Sequence, residues 1–200
     1  ELSEALLSAK NCLKSYQSED GSFNSNYESI LRLLTDLSFA TAEYEEGLNY
    51  CKKELSIREQ TGNLDNLEHA NALFNKGSLE SSLNQYESAI ATFDQALNIY
   101  QQFYSADDLE IIECKWKIAD SHYFLGNTQE ALTLYQNSLP SFDISQGIPN
   151  SYIQAAFNYS SLLLDANQFQ ESYEYLILLK DVYEQIGGDY ELATIHKNEG

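Results

Sequence analysis

Between Trp116 and Leu139 the chain reads WKIADSHYFLGNTQEALTLYQNSL. Against a helical period this is two amphipathic segments. Ile118, Ala119, His122 and Tyr123 share the first, and Ala131, Leu134, Tyr135 and Leu139 share the second. Gly126 and Asn127 supply the turn between them. A small residue in each segment, Ala119 and Ala131, stands where the two must press closely, so the pattern predicts a helical hairpin.

The hairpin recurs. The small residue of the second helix, Ala131, returns 42 places earlier at Ala89, then at Gly47 and Ala5, and 41 places later at Ser172. The small residue of the first helix runs through Thr35, Gly77, Ala119, Ser160 and Gly200. Asn84, Asn127 and Asn167 fall in the bend, followed closely by an aromatic or Thr at Tyr44, Tyr86, Thr128 and Phe169. Leu13, Leu55, Leu97 and Leu139 end the second-helix core. Two small-residue ladders with one period define an internal repeat, in which each unit buries its face on its neighbours.

Taken in order, residues 1–18 read as a lone second helix with Ala5, Leu6, Ala9, Cys12 and Leu13 on one stripe, and SEDGSFNSN reads as a loop. Full hairpins follow over 26–60, 66–104, 108–143 and 149–186. Gly62 suits the left-handed residue that closes a helix, Asp107 and Asp108 suit a helix start, and Pro149 is preset for a first turn. Pro140 should kink or stop its helix, and Gly187-Gly188 should close the last full hairpin. Residues 189–200 repeat the opening of a first helix: LATIHKNEG matches HANALFNKG, His69 to Gly77, small residue for small residue. No segment shows strand alternation, so the expectation is an all-α chain of about ten helices in one elongated domain. Glu1 falls inside a repeat, so a longer parent protein is expected.

Composition changes this picture little. Apolar residues make up 43% of the chain, enough for a packed fold spread along a line. Charge says more: 11 Lys and Arg stand against 31 Asp and Glu, a formal net charge of −20. That field repels phosphate backbones and anionic bilayers, so neither nucleic acid nor a membrane is an expected partner. A solvated acidic face accounts for most of it. The three cysteines, Cys12, Cys51 and Cys114, have no CxxC pairing. Cys12 and Cys51 fall on expected core positions, so buried reduced thiols in a cytoplasmic setting are expected, with no disulfide framework and no metal site. No apolar run reaches membrane-spanning length.

The order small residue, aromatic, turn, aromatic, Ala-Leu or Ala-Ile, aromatic, small-Leu, clearest in LGNTQEALTLYQNSL and LNQYESAIATFDQAL, resembles the tetratricopeptide repeat (TPR). The resemblance covers nearly the whole chain. The usual repeat is about 34 residues; the longer one here, without the usual Pro after the second helix, is similar to those of kinesin light chains and bacterial TPR regulators. The resemblance implies a right-handed α-solenoid of antiparallel helix hairpins, the TPR superhelix, with first helices lining a concave face. It also implies peptide or protein binding without enzymatic activity or a cofactor.

Carried onto this chain, the resemblance places two bands of residues on the concave groove. Three places before the first-helix small residue stand Arg32, Phe74, Trp116, Phe157 and Lys197. One place later stand Leu33, Asn75, Lys117, Asn158 and Asn198. Asp36, Ser78, Asp120 and Ser161, then Phe39, Ser81, Tyr123 and Leu164, come next on that face. Asn donates and accepts, so it can pair with any peptide backbone; aromatic rings supply contact area, and Arg32, Lys117 and Lys197 can meet an acidic group. The candidate groove set is therefore Arg32, Phe74, Asn75, Trp116, Lys117, Asp120, Phe157, Asn158, Lys197 and Asn198.

An alternative stays open for several of these. The bulky core slot of the family, one place before the first band, holds Lys115 and Ala156, so Trp116 and Phe157 could turn inward, and the Asn residues could bridge neighbouring helices. Catalysis has no support: His69, His122 and His196 lie in different repeats, and no phosphate loop, HExxH or nucleophile elbow is present. The sequence thus points to a scaffold that binds a protein or peptide partner, or to a ligand-responsive regulatory domain of a larger signalling protein. Apolar ends of the repeat array add self-association through the terminal helices.

Overall fold

The structure is a computed structural model that describes residues 2–16, 25–139 and 149–186. Among the described residues the chain forms nine helices and no strand. They are α1 (Leu2–Tyr16), α2 (Ser25–Ala40), α3 (Tyr44–Thr61), α4 (Leu67–Ser82), α5 (Tyr86–Tyr100), α6 (Leu109–Phe124), α7 (Thr128–Ser138), α8 (Asn150–Asp165) and α9 (Phe169–Ile186). Residues 18–24 of the expected loop, the stop at Pro140, the closing Gly187-Gly188 and the tenth helix over 189–200 lie outside the described residues. The chain divides between Tyr104 and Ser105 into two compact units, one holding α1 to α5 and the other α6 to α9.

The four complete hairpins turn in one way. A single residue takes the left-handed conformation at Ala42, Asn84, Gly126 and Asn167, with φ of 59°, 58°, 78° and 60°. The next residue donates its N–H to the carbonyl five places back: Glu43 to Ser38 at 2.8 Å, Gln85 to Glu80 at 2.8 Å, Asn127 to His122 at 2.9 Å and Gln168 to Leu163 at 2.8 Å. Its own carbonyl then accepts the N–H of the second-helix small residue, Gly47, Ala89, Ala131 or Ser172. One helix end is satisfied and the next begun within a few residues.

The turn revises one sequence reading. Gly126, not Asn127, matches Asn84 and Asn167, and Asn127 is the N-cap of α7. In the first hairpin Ala42 has no turn signature, and a methyl side chain in this region costs about 1–2 kcal/mol. Ala42→Gly is therefore expected to stabilise the chain by about 0.5–1 kcal/mol after the added freedom of the unfolded chain is deducted. The midpoint of urea unfolding should rise; an unchanged or lower midpoint would count against the strain at Ala42.

Other boundaries follow their side chains. Gly62 closes α3 at φ 73°, and Asn66 caps α4 by accepting the His69 N–H at 2.9 Å. Asp108 holds the N-cap of α6, but its carboxylate turns back to accept the Ser105 N–H at 2.7 Å. Pro149 stands at the N-cap of α8, one place before the helical turn expected for it.

One small-residue ladder is buried from Thr35 to Ser160 and the other from Gly47 to Ser172. At Gly77 an added Cβ would lie 2.8 Å from the Phe93 ring, and at Gly47 it would lie 3.1 Å from both Leu79 and Ser38. Side-chain size at these places is thus set by the helix opposite. Leu6, Ala9, Tyr27, Leu31, Leu34, Tyr50 and Ile57 form one core of the first unit. A larger core fills the second unit around Trp116, Tyr135, Tyr152, Tyr159 and Leu163. Cys51 and Cys114 are buried, but Cys12 is exposed, contrary to expectation. α1 packs chiefly on α2, and its Lys10 reaches Glu43 at 3.4 Å and Glu46 of α3 at 2.6 Å; Cys12, like Ala5, stays exposed.

Candidate functional site

In the first unit α2 and α4, the first helices of consecutive hairpins, flank a cavity of about 310 Å³. Buried Thr35 and Leu79 line it. So do Phe39, which is 45% exposed, and half-buried Phe74. Asp36, Asn75 and Ser78 complete the lining. Thr35 and Ser78 spend their hydroxyl protons on the carbonyls of Leu31 and Phe74, at 2.9 and 3.0 Å, as polar side chains do inside helices. Phe74 meets Phe93 edge to face at 5.5 Å, and Phe39 meets Tyr44 the same way at 5.7 Å. These contacts hold the two rings in place. Asn75 Nδ2 donates to Asp36 Oδ1 at 3.4 Å. Asp36 is exposed, but partial desolvation still raises its carboxyl above its ordinary value, against the pull of Arg32.

The sequence placed Phe74 and Asn75 on this face, and the structure brings them together with Asp36, Phe39 and Ser78 from the same face. Arg32 has another partner. Its guanidinium reaches Glu54 Oε1 at 3.3 Å, and Glu54 is 1% exposed. Glu54 also takes Arg58, 2% exposed, at 3.2 Å, and Arg58 extends to Glu28 at 3.4 Å and Glu68 at 3.3 Å. This network, buried at Glu54 and Arg58 and open at Glu68, joins α2, α3 and α4. Burial nevertheless raises the Glu54 carboxyl, with both arginines opposing. On α4, Lys76 pairs with Glu80 at 3.2 Å and donates to Thr92 at 3.0 Å, while the Thr92 hydroxyl donates to Glu80 at 2.7 Å.

Sequence reasoning treated these carboxylates as a solvated face and missed the network. The signal was present: Gly47, Cys51, Glu54 and Arg58 follow one helical stripe, which puts two charges on the face that a small residue marks as buried.

His69 lies beside this network, buried, with Nδ1 lacking a hydrogen-bond partner. Burial first and Arg58 second lower its pKa from 6.5. The unfolded chain therefore binds this proton more readily than the folded one. The stability that neutral His69 contributes is present above 6.5 and declines as pH falls through the window below it. His69→Gln should flatten the loss of stability between neutral pH and about pH 5. An unaltered slope in urea unfolding across that range would remove His69 as its source.

In the second unit the matching positions are filled differently. Trp116 is 1% exposed, packed in the core and edge to face with Tyr152 at 5.6 Å, so it is withdrawn from the expected groove band. The reason lies next to it: Lys115 cannot fill the core slot, and Ala156 leaves room. Phe157, half-buried, packs against the same core. Asn158 and Asp120 are also withdrawn from the expected groove, each 7% exposed. Asp120 Oδ1 accepts the Asn158 amide at 2.7 Å and the Tyr135 hydroxyl, while Asn158 Oδ1 accepts the Gln154 amide at 3.0 Å. Burial and Asp120 push the Tyr135 phenol far up, so it remains a donor. Lys117 is half-buried on α6. Lys197 and Asn198 lie outside the described residues.

A smaller cavity of about 200 Å³ in the first unit is lined by Lys52, Glu59, His69, Lys76 and Gln95 among others. In the second, His122, Gln129, Glu130, Thr133 and Leu134 border a recess. Among the described residues no group of His, Cys, Asp and Glu could hold a metal ion, and no helix is long and apolar enough to cross a membrane.

A family model described as tetratricopeptide repeat matches residues 26–102 and 84–144. No curated protein sequence matches the chain. Among solved structures, BtubC (BKLC) from P. vanneervenii is 16% identical with a TM-score of 0.77, covering 94% of this chain and 76% of its own. The nearly identical TPR-like repeats of a kinesin light chain from Podosopora anserina are 13% identical with a TM-score of 0.74, covering 93% of this chain and 88% of that one. The Rap conjugation gene regulator of the plasmid pLS20, in complex with the Phr* peptide, is 15% identical with a TM-score of 0.59; the match covers 86% of this chain and 51% of that one. At these identities the likeness is one of fold.

Proposed function

Because the chain belongs to the tetratricopeptide repeat family, we propose that it is a peptide- or protein-binding module whose ligand enters the cavity between α2 and α4. The cavity carries the reading. It lies on the first-helix side, the concave face that the family resemblance implies, and it combines two aromatic side chains with Asp36 and Asn75. Such a mixture of apolar wall and a few placed polar groups suits a peptide side chain with its adjoining backbone. On the matching face of α6 and α8, Tyr123 and Phe157 are half-buried as Phe74 is, but Asp120 and Asn158 are buried and turned to internal contacts, so the proposed site is placed in the first unit. Cys51 and Cys114, buried and outside any disulfide, fit a cytoplasmic setting, and the proposed role is binding and not catalysis.

Peptide-display selection on the wild-type chain and on a Phe74→Ala/Asn75→Ala variant of native helicity tests this. A sequence family enriched on wild type and lost on the variant is the expected result. Enrichment that survives the double substitution would place the site elsewhere.

The likeness to the Rap regulator favours a second reading, a ligand-responsive regulatory domain of a larger signalling protein. An attached effector domain whose activity changes on addition of the selected peptide would favour it, and unchanged activity would leave the scaffold reading alone.

A further inference from the structure

Resting on the peptide-binding reading, we infer that the cavity selects a segment carrying a large apolar side chain beside a Lys or Arg. The apolar group lies between Phe39 and Phe74, and the cation pairs with Asp36.

The internal repeat supplies the comparison. Asp36 and Asp120 each directly follow the small residue of their first helix, Thr35 and Ala119. Asp120 has two donors, Tyr135 and Asn158. Asn75 is the counterpart of Asn158, yet it reaches Asp36 only at 3.4 Å. The counterpart of Tyr135, four places after the second-helix small residue, is Cys51. Its thiol, pushed up to about 12 by burial, donates to the Ala72 carbonyl at 3.1 Å instead. Asp36 therefore holds a carboxylate at a position that takes two donors in the second unit, and it has one long contact.

The neighbouring cations do not make up the difference. Arg32 faces buried Glu54, and Lys76 faces buried Glu80. Asp36, unlike buried Asp120, is exposed, so a ligand ammonium or guanidinium can reach it and form a charge-assisted hydrogen bond shorter than the one from Asn75. Phe39, beside Asp36, adds ring surface to which a cation is also attracted. The chain's net charge of −20 steers a basic segment toward it.

The test is a display selection with a random peptide library on four forms: wild type, Asp36→Asn, Phe39→Ala and Phe74→Ala, each with native helicity. Phe39 is exposed, so its variant reports on the cavity even where Phe74→Ala weakens packing on Phe93. The expected result is enrichment, on wild type, of Lys or Arg within two positions of Leu, Ile, Phe or Trp. Asp36→Asn keeps the apolar preference, loses the basic one, and weakens a selected peptide about tenfold, as loss of a charged hydrogen bond does. Peptides that need Phe39 or Phe74 but show no basic preference, or prefer acidic residues, would overturn the inference and leave the peptide site standing. Absence of enrichment, or enrichment indifferent to all three substitutions, would overturn both.

Discussion

Arg58→Ala is expected to lower stability by about 3–5 kcal/mol at neutral pH, because it strips a buried carboxylate of one partner rather than removing an exposed pair. Glu54 is 1% exposed and would keep only Arg32, which reaches it from the rim of the network at 3.3 Å. Burial already raises the Glu54 carboxyl from 4.5 with both arginines in place, and removal of Arg58 raises it further. The sign with pH follows. A carboxyl whose folded value exceeds its unfolded value takes up protons on folding, so its ionisation costs stability above 4.5, and that cost fades as pH falls toward 4.5. The loss from Arg58→Ala should therefore shrink between pH 7 and about pH 4.5 in urea unfolding. A double variant, Glu54→Leu/Arg58→Met, should recover most of the loss, since apolar replacement of a whole buried pair is often neutral. A loss below about 1 kcal/mol for Arg58→Ala, the level of a surface pair, would contradict the network's role.

The second large effect is at Asp120. Asp120→Ala leaves the hydroxyl of fully buried Tyr135 and the amide of Asn158 without their acceptor. Each orphaned buried donor costs about 1–3 kcal/mol, so a loss of about 3 kcal/mol is expected. Asp120→Asn keeps an acceptor oxygen and should lose about half as much. Tyr135→Phe removes one donor and leaves Asp120 paired with Asn158, at a cost of about 1 kcal/mol. In the double variant the two losses should fall short of additive by about 1 kcal/mol or more, the mark of a shared contact. Strict additivity would show that Tyr135 and Asp120 do not act together.

Much of the fold was legible because close helix packing restricts side-chain size at fixed places. Thr35, Gly77, Ala119 and Ser160 on one ladder and Gly47, Ala89, Ala131 and Ser172 on the other announce the hairpins before any helix is drawn. The turns were less legible. Gly126 and Asn127 both suit a left-handed residue, and the φ of 78° at Gly126 with the hydrogen bond from Asn127 to the His122 carbonyl decides between them. Ala42 gave no signal, because Ala lacks the preference for the left-handed region that marks Gly and Asn in a sequence.

The site was legible only in part. Face periodicity brought Phe74 and Asn75 to the same side as Asp36 and Phe39, and the structure groups them around one cavity. The same periodicity could not distinguish Asn75, at 3.4 Å from its aspartate, from Asn158, buried at 2.7 Å from its own. That difference rests on Tyr135 against Cys51 in a different helix. Trp116 turned inward for a comparable reason, since Lys115 left the core slot to it. Burial of Arg58 and Glu54 was masked by the general acidity, although their helical stripe pointed inward.

Locating a bound peptide on the chain shows whether it sits between α2 and α4. A selected peptide carrying a nitroxide spin label at one end would be added to isotope-labelled protein, and the broadening of backbone amide signals followed. Broadening centred on Thr35 to Phe39 and Phe74 to Leu79 is the expected result. Broadening centred on α6 to α9, or around Lys52, Ser56 and Gln95, would contradict it.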